Sequence, residues 1–341
     1  MGFGSGLSGQ VGFGAESTYN TIATVDHFYD ATDALLALTQ NRYRGAGVRA
    51  GGQMRGIARN IPTTRTVGGA FKADVTSKKF GLLLRHITGS STSAPTNISG
   101  AAYKQVHQLG NGAGLSLTGQ IGKPQVDGTV KPFTYSGLKA LDWDLTAAVD
   151  GVLNLAINFD GADETTATGL TAASYPTPIE LFQFTSCVIK LGGTASTASG
   201  VVSIAGGTQM TQLVRGLSVK GTTALANGRF GPNPTKREQI QNGFTDCVLT
   251  LDPEFGSQAE LYDVWRADTV VPVQITFTGS QIGVTGSYNS LDVVIPAAKI
   301  QQDPVTLNGM DLVTQAPVLE VGDDRVNNPL QITYISVDTT I

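Results

Sequence analysis

The chain has 341 residues and a formal net charge of −4, long enough for two domains or one large all-β unit. Charged residues are 15% of it, well under the roughly 25% of an average soluble protein, which suits a surface covered by neighbouring subunits. The acidic balance argues against a general nucleic-acid binder, and the 40% hydrophobic content argues against disorder. No apolar run approaches the roughly 20 residues of a membrane helix. No charged start leads into an apolar stretch, so no signal peptide is expected and the protein is placed in a soluble compartment. Cys187 and Cys247 make no metal motif and read as small buried hydrophobes.

Residues 1–41 read as an arm and first strand. Gly4, Gly6 and Gly9 match GxGxxG, but that fingerprint needs a strand before it, and too little chain precedes Gly4. An arm that orders on a neighbour is the better expectation. Residues 42–170 are predicted to be a first domain. It opens with a basic loop at 42–65, carrying Arg42, Arg44, Arg49, Arg55, Arg59 and Arg65 with no acid between Asp33 and Asp74. The expectation is a docking surface for an acidic patch on another copy, with a solvated loop and a DNA-binding loop as the alternatives. Only Tyr43 interleaves the arginines, which counts against stacking on single-stranded nucleic acid. A strand over 67–75 follows. Ser77 is expected to cap a helix over 77–87, with Phe80, Leu83, Leu84 and Ile87 on one face and Gly89 as its stop. Residues 89–113 read as a polar surface loop.

Strands are predicted at 114–121, 132–137, 138–149 and 152–160. The last two form a hairpin. Leu141, Trp143, Leu145, Ala147 and Val149 alternate on one arm, and Leu153, Leu155, Ile157 and Phe159 on the other. Keeping both apolar sets on one side pairs odd with odd positions, so a three-residue turn with Gly151 at positive φ is expected. The opposite face then carries Asp142, Asp144, Thr146, Asn154, Asn158 and Asp160, with no Lys or Arg from 141 to 165.

Residues 171–341 repeat the plan as a second domain. A strand over 244–251 leads to Ser257-Gln258-Ala259-Glu260, a capping box for a helix over 257–266. A strand over 271–278 follows, and LSLTGQIG at 115–122 is answered by ITFTGSQIG at 275–283. A second hairpin spans 291–321 and turns at Asn308-Gly309. Its polar face, with Lys299, Gln301, Asp303, Asp311 and Gln315, is more mixed. The basic loop has a weaker echo in Arg229, Lys236 and Arg237. Residues 192–209 read as a hairpin of small side chains.

Chemistry-bearing constellations are missing from the sequence. His27, His86 and His107 lie far apart, and no nucleophile elbow, phosphate loop or calcium-ligand ladder appears. Catalytic, cofactor and metal sites are therefore expected to be none.

The phrases GSGLSGQVGFGAESTYNT, KKFGLLLRHITGS, QIGKPQVDGTVKPFTYSGLKALDWDL, FDGADETTATGLTAASYP and NGFTDCVLTLDPEF, in this order, resemble the major tail tube proteins of long, non-contractile-tailed bacteriophages. The resemblance implies a mainly β fold, with β-sandwich or barrel domains that each pack one α-helix. It also implies polymerisation into stacked rings around a tape-measure protein, contact with tail terminator and distal tail proteins, and a bore that conducts DNA. The protein would be assembled in the host cytoplasm and reside in the virion tail. Two related domains per chain point to a trimer with pseudo-sixfold symmetry. A hexamer with the second domain outside is the alternative. On this reading Asp142, Asp144, Asn154 and Asn158 line the lumen, where carboxylates repel phosphate and avoid the affinity that Lys or Arg would add. The arginine loop stacks ring on ring. A baseplate, decoration or receptor-binding β-sandwich is the competing reading; Trp143 and Trp265, both on predicted buried faces, leave no aromatic platform for a glycan.

Overall fold

The computed structural model describes all residues except 1–4, 91–93, 233–234, 285, 308–309 and 311. Gly4, the turn at 308–309 and Asp311 thus lie outside the described residues. The protein is mainly β. In its first half the principal strands are β1 (Gln10–Ala15), β2 (Ala37–Arg44), β3 (Asn60–Asp74), β4 (Ala102–Gln108), β5 (Leu117–Pro124), β6 (Val130–Ala148), β7 (Asn154–Gly161) and β8 (Asp163–Thr165). Helix α1 (Gly81–Thr88) lies between β3 and β4. In the second half they are β9 (Cys187–Leu191), β10 (Val214–Thr222), β11 (Asp246–Pro253), β12 (Val271–Gln281), β13 (Tyr288–Ile300), β14 (Val318–Val321) and β15 (Gln331–Ser336), with α2 (Tyr262–Arg266) after β11.

The two halves share one ladder. In the first, antiparallel pairing runs β1·β5·β6·β7·β3·β2, and β8 borders the early part of β6. In the second it runs β9·β12·β13·β14·β11·β10, and β15 borders the early part of β13. Each helix sits between corresponding strands. The halves are also stitched together twice. β10 pairs with the late part of β6, and β15 pairs with β4.

β6 bends from one layer of the first half into the other. Gly137 sits at the bend with φ 66, where a Cβ would come within 3.0 Å of the Tyr19 ring. The layers close over an aromatic core: Phe13 of β1 meets Phe71 of β3 at 5.1 Å and Phe159 of β7 at 5.5 Å between ring centroids. Trp143, Leu145, Leu155 and Ile157 are buried on the same side.

Several local expectations shift. Gln10–Ala15 is a strand within its own chain's sheet, paired along its whole length with β5, rather than a free arm. α1 starts four residues later than expected, because Lys79 takes a left-handed φ of 62. The Ser77 hydroxyl instead accepts the Glu180 N–H at 3.1 Å. Gly89 ends the helix at φ 66, as the sequence indicates. α2 is only five residues long, and its capping box does not form: the Glu260 carboxylate accepts the N–H and hydroxyl of Thr211. Trp265 is half-buried rather than buried. The stretch 89–113 is not all loop, since β4 within it buries Gln105 and His107. Residues 194–205 do form the expected hairpin.

Candidate functional site

Alternation builds a polar face on the central hairpin. Leu155 pairs with Leu145, Ile157 with Trp143 and Asn158 with Asp142, the odd-with-odd register read from the sequence. The left-handed residue in the turn is Asp150, φ 61, and not Gly151. Asp tolerates this region because its short polar side chain can bond locally. Asn158 donates its amide to Asp142 at 2.6 Å, and Ser218 of β10 donates to Asp144 at 2.7 Å. Asp142, Asp144 and Asn154 are partly exposed, and Asn158 is exposed.

This face does not stop at the hairpin. Cross-strand partners share a side, so the registers carry it from β3 through β7, β6, β10 and β11 to β14. Its carboxylates are Asp74, Asp142, Asp144, Asp246, Asp252 and Glu320; Lys72 and Lys220 oppose them. The face is net acidic but not free of cations, since Lys220 lies 3.4 Å from Asp144. Sequence reasoning missed the second-half contribution. Its signal was present in DCVLTLDP, where Cys247, Leu249 and Leu251 are buried and the even positions face out.

Asp160 keeps to this side of β7, since β7 pairs with β3 without a shift, but it is covered. Between Asn158 and Phe159 the β6 register slips, leaving Leu141 as an extra residue, so that Lys139 comes round to the side of Asp160. There Asp160 binds the Lys236 ammonium at 2.5 Å. Gln239 donates to the same carboxylate at 2.7 Å. Lys236 and Gln239 belong to the 223–245 connection between β10 and β11, which closes back on the first half. Beside them Lys139 reaches Glu238 at 2.7 Å. Gln315, expected on the second hairpin's polar face, is likewise buried, on Gln212.

The connection at the corresponding place in the first half is the arginine segment. It is a long hairpin rather than a loop: β2 pairs with the first part of β3, placing Arg42, Arg44 and Arg65 on strands and Arg49, Arg55 and Arg59 in the 45–59 connection. All six arginines are exposed, and none makes an ion pair among the described residues. Val48, Met54 and Ile57 are more than four-fifths exposed beside them. Arg44, Arg55 and Arg59 line a cleft of about 200 Å³. The arginines thus sit beside apolar side chains that the described residues leave uncovered.

No group of three or more potential metal ligands is gathered among the described residues. Cys187 and Cys247 are unpaired, and burial pushes both thiols up to about 12, so they stay protonated.

The sequence profile described as phage tail tube protein matches residues 6–318. The chain belongs to the phage tail tube protein family. No curated protein matches it. The match takes in β1 to β13, including the arginine hairpin and the central hairpin. As a tail tube protein it is a structural component of a bacteriophage tail, and the family works by self-polymerisation into the tube. No helix among the described residues is long and apolar enough to cross a membrane.

Proposed function

We propose that the two halves are two tube domains and that three chains close into a ring with pseudo-sixfold symmetry. Rings stack into a tube around a tape-measure protein, in the host cytoplasm. Terminator and distal tail proteins cap the tube, which later conducts the genome of a long, non-contractile-tailed phage. The acidic face lines the bore. Asp142, Asp144, Asn154 and Asn158 lie near its middle, and their charge and small polar groups let phosphate pass without capture. The hairpin with Arg42, Arg44, Arg49, Arg55, Arg59 and Arg65 joins copies and stacks ring on ring.

One observation carries this reading: the polar face crosses from the first half to the second through the β6–β10 ladder without a break. A chain that builds two adjacent sectors of one wall needs half as many copies to close it. Rotational analysis of electron micrographs of the assembled protein tests this. Threefold rings with six similar lobes are expected. Sixfold rings of whole chains, with the second half outside the wall, would overturn the trimer.

A further inference from the structure

We infer that the arginine hairpin of one copy closes onto an acidic groove in the second half of another copy, repeating between chains the latch that Lys236 makes within one. The inference rests on the reading that copies join side by side, and it names the acceptor. Each half has a donor connection between corresponding strands, 45–59 after β2 and 223–245 after β10. Each half also has an acceptor corner, where a carboxylate lies opposite a lysine on the neighbouring strand. These are Asp160 opposite Lys139, and Glu320 opposite Lys299. Within the chain only one donor meets one acceptor: Lys236 and Gln239 fill the Asp160 corner, and Glu238 engages Lys139.

The other donor and the other acceptor are left over, and their charges match. Glu320 is exposed and makes no ion pair among the described residues. It borders a groove of about 350 Å³ with Lys299, Gln301, Asp323 and Asp324 on its walls and Ala297, Ala298 and Val270 at its apolar side. Counting along the ladder, Gly68 of β3 and Val248 of β11 hold corresponding places, each opposite its corner carboxylate. On that alignment Arg59 corresponds to Gln239, and Arg55 lies one residue from the counterpart of Lys236. The occupant is thus a second copy of this chain. Because donor and acceptor lie on different halves, the contact is head-to-tail, the kind that closes a ring when the rotation permits. It narrows the role of Arg55 and Arg59 to the copy alongside.

The test uses the full chain with three changes: Glu320→Arg, the pair Arg55→Glu with Arg59→Glu, and all three together. Assembly is read by sedimentation and electron microscopy, and folding by circular dichroism. All three sites are exposed, so the folded signal should persist; Glu320→Gln with Arg59→Gln serves as a milder set. Either charge reversal should lower the assembled fraction at least about tenfold, and the combination should recover much of it. Reversals that assemble like the parent, or a combination no better than its parts, would overturn the latch while leaving the tube intact. A parent chain that stays monomeric under the same conditions would overturn both.

Discussion

His86 and His107 make the fold sensitive to acid. Both are buried, and burial pushes their imidazoles down to about 4 and about 3, with Arg85 adding repulsion. His86 donates from Nδ1 to the Leu82 carbonyl at 2.8 Å, and neither ring nitrogen of His107 has a partner among the described residues. The folded values lie below the ordinary 6.5. Above pH 6.5 the imidazoles are neutral in both states and cost nothing. As pH falls through 6.5 the unfolded chain takes up protons that the native state refuses until about 4 and about 3. Each group then removes about 1.4 kcal/mol of stability per pH unit in that window. The urea midpoint of the subunit should therefore drop between pH 7 and pH 5, and the drop should shrink in His107→Gln. An unchanged midpoint would show that these side chains are solvated. The helix expected over 77–87 included His86. Spacing gave no reason to bury His107, because Ser, Thr, Gly and Asn around β4 mask a strand whose inner side is filled by polar groups.

At the scale of the element, β6 decides most of the structure. Alternation over 141–149 and 153–159 was enough to fix which side of the hairpin is buried and which residues face each other, because a slip of one position would expose the whole apolar set. The burial of Asp160 on its own polar side was not legible. It needs the 223–245 connection, more than sixty residues away, to supply Lys236. The helix starts failed for a similar reason, as Glu180 and Thr211 take the groups that local capping would use. β6 also carries the seam between halves. There Gly221 of β10 lies opposite Trp143, and a Cβ on it would sit 2.4 Å from the indole. Gly221→Ala should cost about 1–3 kcal/mol by overpacking. It should lower the thermal midpoint of the isolated subunit, and an unaltered midpoint would mean that the indole can move aside.

For the whole molecule, the doubled plan was readable from the order of elements and from the paired TGQIG and TGSQIG phrases, which fall on β5 and at the end of β12. How the halves meet was not readable, since neither β6 nor β10 advertises its partner. Their ladder makes one extended acidic wall, and the wall's charge is the quantity to change. Asp142→Lys with Asp144→Lys reverses its centre at partly exposed sites, so tubes should still form. Each added cation that meets phosphate adds salt-dependent affinity. Genome release from particles built with this variant should slow, most at low ionic strength. Equal release rates across a salt series would place these residues outside the bore.

The ladder between β4 and β15 has a consequence for synthesis. Gln108 and Gln331 are hydrogen-bonded neighbours, although 223 residues separate them. On the ribosome, β4 emerges long before the segment that covers its edge. A nascent first half must wait with that edge open, and it reaches its final shape only after β15 has been translated. The delay is set by nothing more than the distance between two strands along the message.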